Sequence, residues 1–396
     1  MLIGIIGKPS TGKSTFLKAA TLAEVEISPR PFTTIKPNRK TGFVKIDCID
    51  KFFKVQCNPR EGYCINGKRF MPVELLDVAG LIEGAYEGKG LGNQFLNDLS
   101  QGDALIHIID IAGMTNEKGE IVEPLSHDPL KDVAMIEKEV DLWFFSILEK
   151  AWDRFVKKVV NEKKDIRKEV ASQFSGLKIN ENMVEQAIKV FHSGDPLKWT
   201  REELKEFCSV LRRLSKPMVI VANKIDVEGA ELNYHRLIEK YKEYKVIPCS
   251  ADSELALREA AKLGLIYYVP GDNDFRIVDE KKLNEAQKNA LESIRNNVLK
   301  KFGGTGVQQA LDTAVFELLK YIAVFPGGVN NLKDSQGRTL PDCFLLPFNS
   351  TALDFAFRIH TDIGNKFAKA IDVKKKMPLA KDYKLKHLDV IEIKTS

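Results

Sequence analysis

The sequence predicts an α/β fold with a largely parallel sheet, followed by a smaller domain of short strands. Apolar strands at residues 2–6, 73–77, 104–110 and 216–222 alternate with segments of helical periodicity, and such alternation builds parallel sheets. From about residue 321, short alternating strands replace the long helices. The 396 residues, 44% of them hydrophobic, provide enough core for two to three domains.

The first strand runs into a loop that suits phosphate. Residues 7–14 read Gly-Lys-Pro-Ser-Thr-Gly-Lys-Ser, and the glycines let backbone N–H groups turn toward phosphate oxygens. Lys13 is expected to reach the β- and γ-phosphates, and the Ser14 hydroxyl to ligate Mg²⁺. The following residues are typical of a helix, whose N-terminus adds a positive dipole end. The pattern predicts a P-loop for a nucleoside triphosphate and Mg²⁺.

A second buried strand ends in a motif that completes this site. Asp77 opens the sequence Asp-Val-Ala-Gly and is expected to hold Mg²⁺, while the Gly80 N–H contacts the γ-phosphate. The next segment carries four glycines in nine residues, which suits a switch that γ-phosphate orders and hydrolysis releases. The predicted phosphate-binding residues are Gly7, Lys8, Pro9, Ser10, Thr11, Gly12, Lys13, Ser14, Thr15 and Gly80.

The segment between these two motifs offers a further magnesium ligand. Thr33 and Thr34 lie in Pro-Phe-Thr-Thr, and either hydroxyl could close over Mg²⁺, with Thr34 favoured. The predicted magnesium ligands are Ser14, Thr34 and Asp77. The predicted switch residues are Thr33, Thr34, Leu81, Gly84, Gly88 and Gly90.

The strand at 216–222 leads into Asn223-Lys224-Ile225-Asp226, which predicts guanine specificity. The Asp226 carboxylate can accept hydrogen bonds from guanine N1–H and the exocyclic amine, a donor pair that adenine lacks. A carboxylate that faced adenine would stay unpaired. We expect the Lys224 stem to lie over the base and Asn223 to tie the motif to the phosphate loop. Ser250 and Ala251 are expected to present backbone N–H groups to guanine O6.

Helical patterns fill the long interval between the strands at 104–110 and 216–222. Apolar residues recur at helical spacing over 136–159, and Thr200 with Glu203 forms a capping box. The predicted organisation is a nucleotide-binding G domain at 1–127 and 215–320, with an additional helical segment at about 252–305, a helical insertion at 128–214 and a smaller domain at 321–396.

Together these motifs resemble those of the Obg family of GTPases. The resemblance rests on Pro-Phe-Thr-Thr at 31–34, Asp-Val-Ala-Gly-Leu at 77–81 and Gly-Leu-Gly-Asn-Gln-Phe-Leu at 90–96. The chain is most similar to the Obg/YchF branch, which carries a helical insertion and a C-terminal TGS domain with a ubiquitin-like β-grasp fold. Thr351 before Leu-Asp-Phe-Ala, with Ile-His after it, is typical of that domain. The resemblance implies a P-loop NTPase that hydrolyses GTP with Mg²⁺ and meets ribosomes or RNA.

Two features depart from relatives of this kind, and a third, at Leu81, is shared with them. YchF proteins proper lack Asn-Lys-x-Asp and prefer ATP, so its presence here favours GTP, with an ATPase as the alternative. Ser10 stands where potassium-recruiting relatives carry Asn, which leaves potassium stimulation open. Leu81 replaces the glutamine that orients water in Ras-type enzymes. We therefore assign no catalytic base and expect slow intrinsic hydrolysis; a nucleotide-binding protein with negligible hydrolysis is the other alternative.

Charge and cysteine content bear on partners and compartment. Nine lysines and four acids lie between Lys366 and Ser396, a surplus that suits RNA phosphates and equally a solvated surface. Six cysteines, and no apolar stretch of about 18 residues, predict a cytoplasmic protein without a membrane partner. Cys48, Cys57 and Cys64 lack zinc-knuckle spacing and a nearby histidine, which favours a thiol-bearing hairpin over a metal site.

Overall fold

The structure is a computed structural model that describes residues 1–22, 38–78, 80, 84, 98–191, 195 and 198–396. Its strands are β1 (Leu2–Ile6), β2 (Arg39–Asp47), β3 (Tyr63–Ile65), β4 (Lys68–Asp77), β5 (Ala104–Asp110), β6 (Met218–Asn223), β7 (Lys245–Pro248), β8 (Ile266–Tyr267), β9 (Arg276–Ile277), β10 (Tyr321–Pro326), β11 (Phe344–Pro347), β12 (Phe367–Asp372), β13 (Met377–Leu379) and β14 (Asp389–Thr395).

The α-helices are α1 (Lys13–Thr21), α2 (Asp50–Phe53), α3 (Leu130–Glu162), α4 (Ile166–Gln173), α5 (Glu181–Phe191), α6 (Arg201–Ser215), α7 (Ala230–Lys240), α8 (Ala251–Lys262), α9 (Glu285–Ile294), α10 (Lys300–Phe302), α11 (Val307–Asp312), α12 (Ala352–Ile359) and α13 (Thr361–Asn365). Turns of 3₁₀-helix span Ser175–Leu177 and Glu280–Lys282, and π-helical turns span Arg295–Leu299 and Thr313–Leu318. Among the described residues, no helix has the length and apolar character that a membrane span needs.

A seven-stranded sheet of order β2-β4-β1-β5-β6-β7, with β3 beside β4, positions the phosphate loop. Strands β4, β1, β5, β6 and β7 are parallel, and β2 and β3 run antiparallel to β4. Ile5 pairs with both Asp77 and Ile106, so the carboxyl ends of β1, β4 and β5 lie at one edge. The predicted α/β fold with a largely parallel sheet is therefore confirmed.

Helices α3 to α6 come between β5 and β6 in the sequence and share an apolar core with the sheet. Trp143, Phe144 and Phe207 belong to a buried apolar cluster that also contains Leu2 and Leu105. The capping box at Thr200 begins α6 as predicted, since the Glu203 N–H donates to the Thr200 hydroxyl and the Glu203 carboxylate accepts from the Thr200 N–H. The long helix α3 thus packs on the sheet through Leu130 and Val133 near its start, and shares a core with α6 further along.

The C-terminal strands form a second sheet of order β11-β10-β14-β12-β13. Helix α12 begins at a capping box of Thr351 and Asp354, which explains why the helix starts at Ala352. Phe325 and Val390 from this sheet share one buried cluster with Phe16 of α1. One face of the second sheet therefore packs against the first domain, while Ile322, Val324 and Phe355 belong to a separate buried cluster.

Candidate nucleotide site

Two glycines of the phosphate loop occupy places that exclude any side chain. A Cβ on Gly7 would lie 2.3 Å from the Ile108 carbonyl oxygen, and a Cβ on Gly12 would lie 2.2 Å from the Asn223 amide nitrogen. Gly12 also has φ of +93°, a left-handed conformation that favours glycine. The loop thus packs directly against the ends of β5 and β6.

Lys13 begins α1, with its ammonium group turned back over the loop. Its Nζ donates to the carbonyl oxygens of Gly7 (3.0 Å) and Lys8 (2.8 Å). Burial lowers the pKa of Lys13 to about 8, an effect that the nearby Asp77 carboxylate opposes. Ser14 and Thr15 follow in the first turn of α1, whose N–H groups no described side chain caps. Uncapped N–H groups at a helix start, beside a lysine ammonium group, suit a phosphate ligand.

Asp77 and Gly80 approach the loop from the end of β4. A Cβ at position 80 would meet the Pro9 ring at 3.2 Å, which places this glycine against the phosphate loop. The Gly84 N–H donates to the buried Glu139 carboxylate of α3 at 2.8 Å. The other predicted switch and metal residues, which are Thr33, Thr34, Leu81, Gly88 and Gly90, lie outside the described residues.

Asn223 connects three elements of the site. Its Nδ2 donates to the Thr11 carbonyl (2.9 Å), and its Oδ1 accepts from the Ala251 N–H (3.0 Å). The expected tie between this motif and the phosphate loop is present. Lys224 has φ of +64°, and its ammonium group pairs with the buried Asp110 carboxylate at 2.8 Å. Asp226 follows in an exposed position.

The structure corrects one expectation for the base-binding side. The Ser250 N–H donates to the Thr305 carbonyl at 2.9 Å, and the Ala251 N–H is taken by Asn223. Both groups were expected to face guanine O6, and both instead have acceptors within the protein. The physical reason is that Asn223 needs a donor for its buried Oδ1, and the start of α8 supplies it.

Lys8 has a role that sequence reasoning missed. Its side chain is 1% exposed and forms an ion pair with Asp132 of α3 at 2.7 Å, while it also donates to the Thr115 carbonyl at 2.6 Å. Asp132 in turn contacts His127 at 2.8 Å. Lys8 can therefore offer phosphate its backbone N–H but not its ammonium group. No sequence signal marks Asp132, because an acid in the first turn of a helix is common.

Ser10 sits at the outer side of the loop in a left-handed conformation, with φ of +63°. Its hydroxyl donates to the Gly119 carbonyl at 2.8 Å. A Cβ on Gly119 would lie 2.7 Å from the Pro9 Cβ, so this neighbouring loop covers the phosphate loop closely. The Ser10 hydroxyl is therefore already engaged within the protein.

His107 on β5 is fully buried below the loop. Burial, with a smaller contribution from the Lys13 charge, lowers its pKa to about 3. Within the described part of the chain, neither ring nitrogen has a hydrogen-bond partner. The histidine is neutral near pH 7 and belongs to the core.

A phosphate loop, an Asp-x-x-Gly motif and an Asn-Lys-x-Asp motif at neighbouring strand ends define a P-loop protein of the GTPase class. Family models agree along the chain: residues 2–139 match a 50S ribosome-binding GTPase, residues 221–329 an Obg-like GTPase YGR210-like, G4 motif-containing domain, and residues 332–395 a TGS domain.

Similar proteins extend this agreement to the whole chain. A GTP-binding protein of Methanocaldococcus jannaschii is 46% identical over 393 residues, which are 99% of this chain and 98% of that protein. The crystal structure of a GTP-binding protein from Pyrococcus horikoshii covers all of both chains at 37% identity, with a TM-score of 0.78. The ribosome-binding ATPase YchF of Bacillus subtilis is 30% identical over 248 residues, or 61% of each chain. The chain belongs to the Obg-like family of GTPases.

Proposed function

We propose that this protein is a Mg²⁺-dependent GTPase switch whose nucleotide state is read by the ribosome or by RNA. The observation that carries the proposal is the double hydrogen bond of Asn223 to Thr11 and Ala251. It sets the Asn-Lys-x-Asp motif at a defined distance from the phosphate loop, so one ligand can meet both. Asp226 then reads the base while the loop around Lys13 holds the phosphates.

The oxygen groups around the loop fit magnesium. Ser14 supplies a hydroxyl beside Lys13, and Asp77 supplies a carboxylate close enough to oppose the lowering of the Lys13 pKa by burial. Hard oxygen donors of this kind, completed by water and phosphate, suit Mg²⁺. In our proposal Ser14, Asp77 and Thr34 hold the ion, which neutralises charge on the β- and γ-phosphates.

Guanine preference is tested by exchanging the base-reading carboxylate. Asp226→Asn replaces one acceptor with an amide donor, which mismatches the guanine amine but matches the C2 carbonyl of xanthine. We expect GTP affinity to fall about 100-fold and XTP affinity to rise, measured by displacement of fluorescent nucleotide. Glu228→Gln, at a nearby exposed acid, serves as the matched control. If ATP displaces labelled GTP from the wild-type chain as well as GTP does, the site is not guanine-specific and the ATPase alternative is favoured.

Hydrolysis is tested separately from binding. Single-turnover release of phosphate from bound GTP is followed with Mg²⁺, with and without ribosomal subunits. We expect slow release that the subunits accelerate, because no described group is placed to activate water. Release at the background rate under both conditions would favour a nucleotide-binding protein without hydrolysis.

The proposed ribosome or RNA partner rests on the C-terminal region. Eight of the nine lysines between Lys366 and Ser396 are exposed, and Lys374 is half-buried. The relatives named for ribosome binding, and the TGS match at residues 332–395, support the same partner. Co-sedimentation with ribosomal subunits should differ between the GTP-analogue and GDP forms. Equal sedimentation in both forms would contradict a nucleotide-controlled switch.

A further inference from the structure

Three cysteines and one aspartate from separate elements meet in a single cluster. Cys48 follows β2, Asp50 begins α2, Cys57 lies in the next loop and Cys64 lies in β3. One ligand atom from each of the four lies within 4.8 Å of every other. Two of the separations are 3.5 Å, from Cys48 Sγ to Cys57 Sγ, and 3.8 Å, from Cys64 Sγ to Asp50 Oδ2. We refer to these four residues as the cysteine cluster.

These separations match a tetrahedral metal cage. With Zn–S bonds of about 2.3 Å, two sulfurs of a tetrahedron lie about 3.8 Å apart. Cys48, Cys57 and Asp50 are 5%, 5% and 3% exposed, so water has little access. Asp50 Oδ1 is buried and has no hydrogen-bond partner in the described part of the chain. A buried carboxylate oxygen without a donor calls for a bound cation or another unseen partner.

We propose that the cysteine cluster binds one structural Zn²⁺ through the three thiolates and the Asp50 carboxylate. Thiolate-rich tetrahedral sites select zinc over harder cations. Four protein ligands leave no open position, which is characteristic of a structural site.

The surroundings favour charge in this cluster. Arg69 is 1% exposed and pairs with Cys64 in the β3–β4 register. Three thiolates and a carboxylate carry four negative charges, of which Zn²⁺ neutralises two and Arg69 offsets a third.

The cluster lies where the first sheet meets the C-terminal region. The loop after Cys57 donates from the Asn58 N–H to the Thr339 carbonyl (2.8 Å) and from the Arg60 N–H to the Pro341 carbonyl (2.9 Å). The Arg69 guanidinium donates to the carbonyls of Leu340 (3.1 Å) and Pro341 (2.7 Å). A zinc ion would therefore hold in place the hairpin that carries these contacts, and with it the position of the C-terminal region.

The test begins with the metal content of the full-length wild-type chain. Protein purified without chelators and without a metal-binding tag is analysed by inductively coupled plasma mass spectrometry. We expect about one zinc per chain, and in the zinc-stripped protein we expect Co²⁺ to give intense thiolate charge-transfer absorption with tetrahedral d–d bands. Less than about 0.1 zinc per chain together with no Co²⁺ spectrum would overturn the proposal, and iron in place of zinc would overturn the choice of metal.

Variants then assign the ligands. Cys57→Ala and Cys64→Ala should lower the zinc content at least about tenfold, whereas Cys208→Ala should leave it unchanged. Asp50→Asn should keep the charge-transfer band of the Co²⁺ form but change its d–d bands. Intact mass after alkylation under non-reducing conditions checks the competing chemistry, since a Cys48–Cys57 disulfide in the native chain would contradict the site. If a cysteine variant does not fold, the zinc content and the Co²⁺ spectrum of the wild-type chain still decide whether the cysteine cluster binds zinc.

Discussion

The nucleotide site and the cysteine cluster lie at opposite ends of β4 and are assembled in different ways. At the carboxyl end, the phosphate loop presents consecutive backbone groups, and its glycines and Lys13 follow one another in the sequence. At the amino end, side chains from four separate segments converge on one point. The difference teaches that a site built from a continuous backbone has a readable motif, whereas a site built from converging side chains depends on the fold.

The largest expected effect is on nucleotide binding, and it tests whether the nucleotide site and the cysteine cluster are independent. Lys13→Ala removes charge-assisted hydrogen bonds to two phosphates, each worth about 2 kcal/mol, so GTP affinity should fall about 1,000-fold. Titration of fluorescent GTP measures it. Lys18→Ala, on the exposed face of the same helix, is the matched control. Zinc content should stay the same in both variants, and a parallel loss of zinc in Lys13→Ala would show that the regions are coupled.

The next prediction asks whether the phosphate loop also depends on tertiary contacts. Asp132→Asn leaves the buried Lys8 ammonium group without its counter-charge and should lower the free energy of unfolding by about 3 kcal/mol in urea titrations. Asp128→Asn loses the charge of a solvent-accessible pair with Arg236 but keeps an Oδ1 acceptor for the Leu130 N–H, and should change it by less than about 0.5 kcal/mol. Similar small losses of unfolding free energy in both variants would mean that the phosphate loop does not depend on its ion pair with α3.

A smaller effect is expected from pH. Lys13 has a pKa of about 8 in the free chain, and bound phosphate stabilises its charged form. Above pH 8, binding must therefore take up a proton, so GTP affinity should fall by up to about tenfold per pH unit, whereas below pH 8 it should be level. Isothermal titration between pH 7 and 9 measures this trend. Guanosine, which has the same base and no phosphate, should show no such decline; a matching decline would assign the effect to the base side.

The smallest effect concerns the C-terminal domain, which the loop after Cys57 contacts. The triple variant Lys375→Glu, Lys376→Glu and Lys381→Glu should weaken binding to ribosomal RNA about fivefold near physiological salt. The slope of log affinity against log salt should shrink by about 2, because three phosphate contacts are lost. Charge reversal at the exposed Lys150, Lys157 and Lys205 of the helical insertion is the control. An equal loss of RNA affinity in the control variant would mean that the effect comes from net charge and not from these three lysines.

Much of the nucleotide site could be predicted from local patterns in the sequence. Apolar strands followed by glycine-rich or polar turns placed the P-loop and the Asn223 motif at the correct sheet edge, because parallel strands end together. The hydrogen bond from Asn223 to Thr11 followed from that geometry. The partners of Ser250 and Ala251 did not, because Thr305 lies 55 residues further along the chain than Ser250 and only folding brings it near.

The amino-acid sequence by itself determined the order of the motifs, the parallel core, the helical insertion and the family to which the chain belongs. These depend on residues close together in the chain, where periodicity and steric demands act locally. Only the tertiary structure decided that Lys8 turns to Asp132, that Glu139 of α3 receives the Gly84 N–H, and that Cys48, Asp50, Cys57 and Cys64 form one cluster. These contacts join separate elements, and their distances are set by packing of the whole core rather than by spacing along the chain.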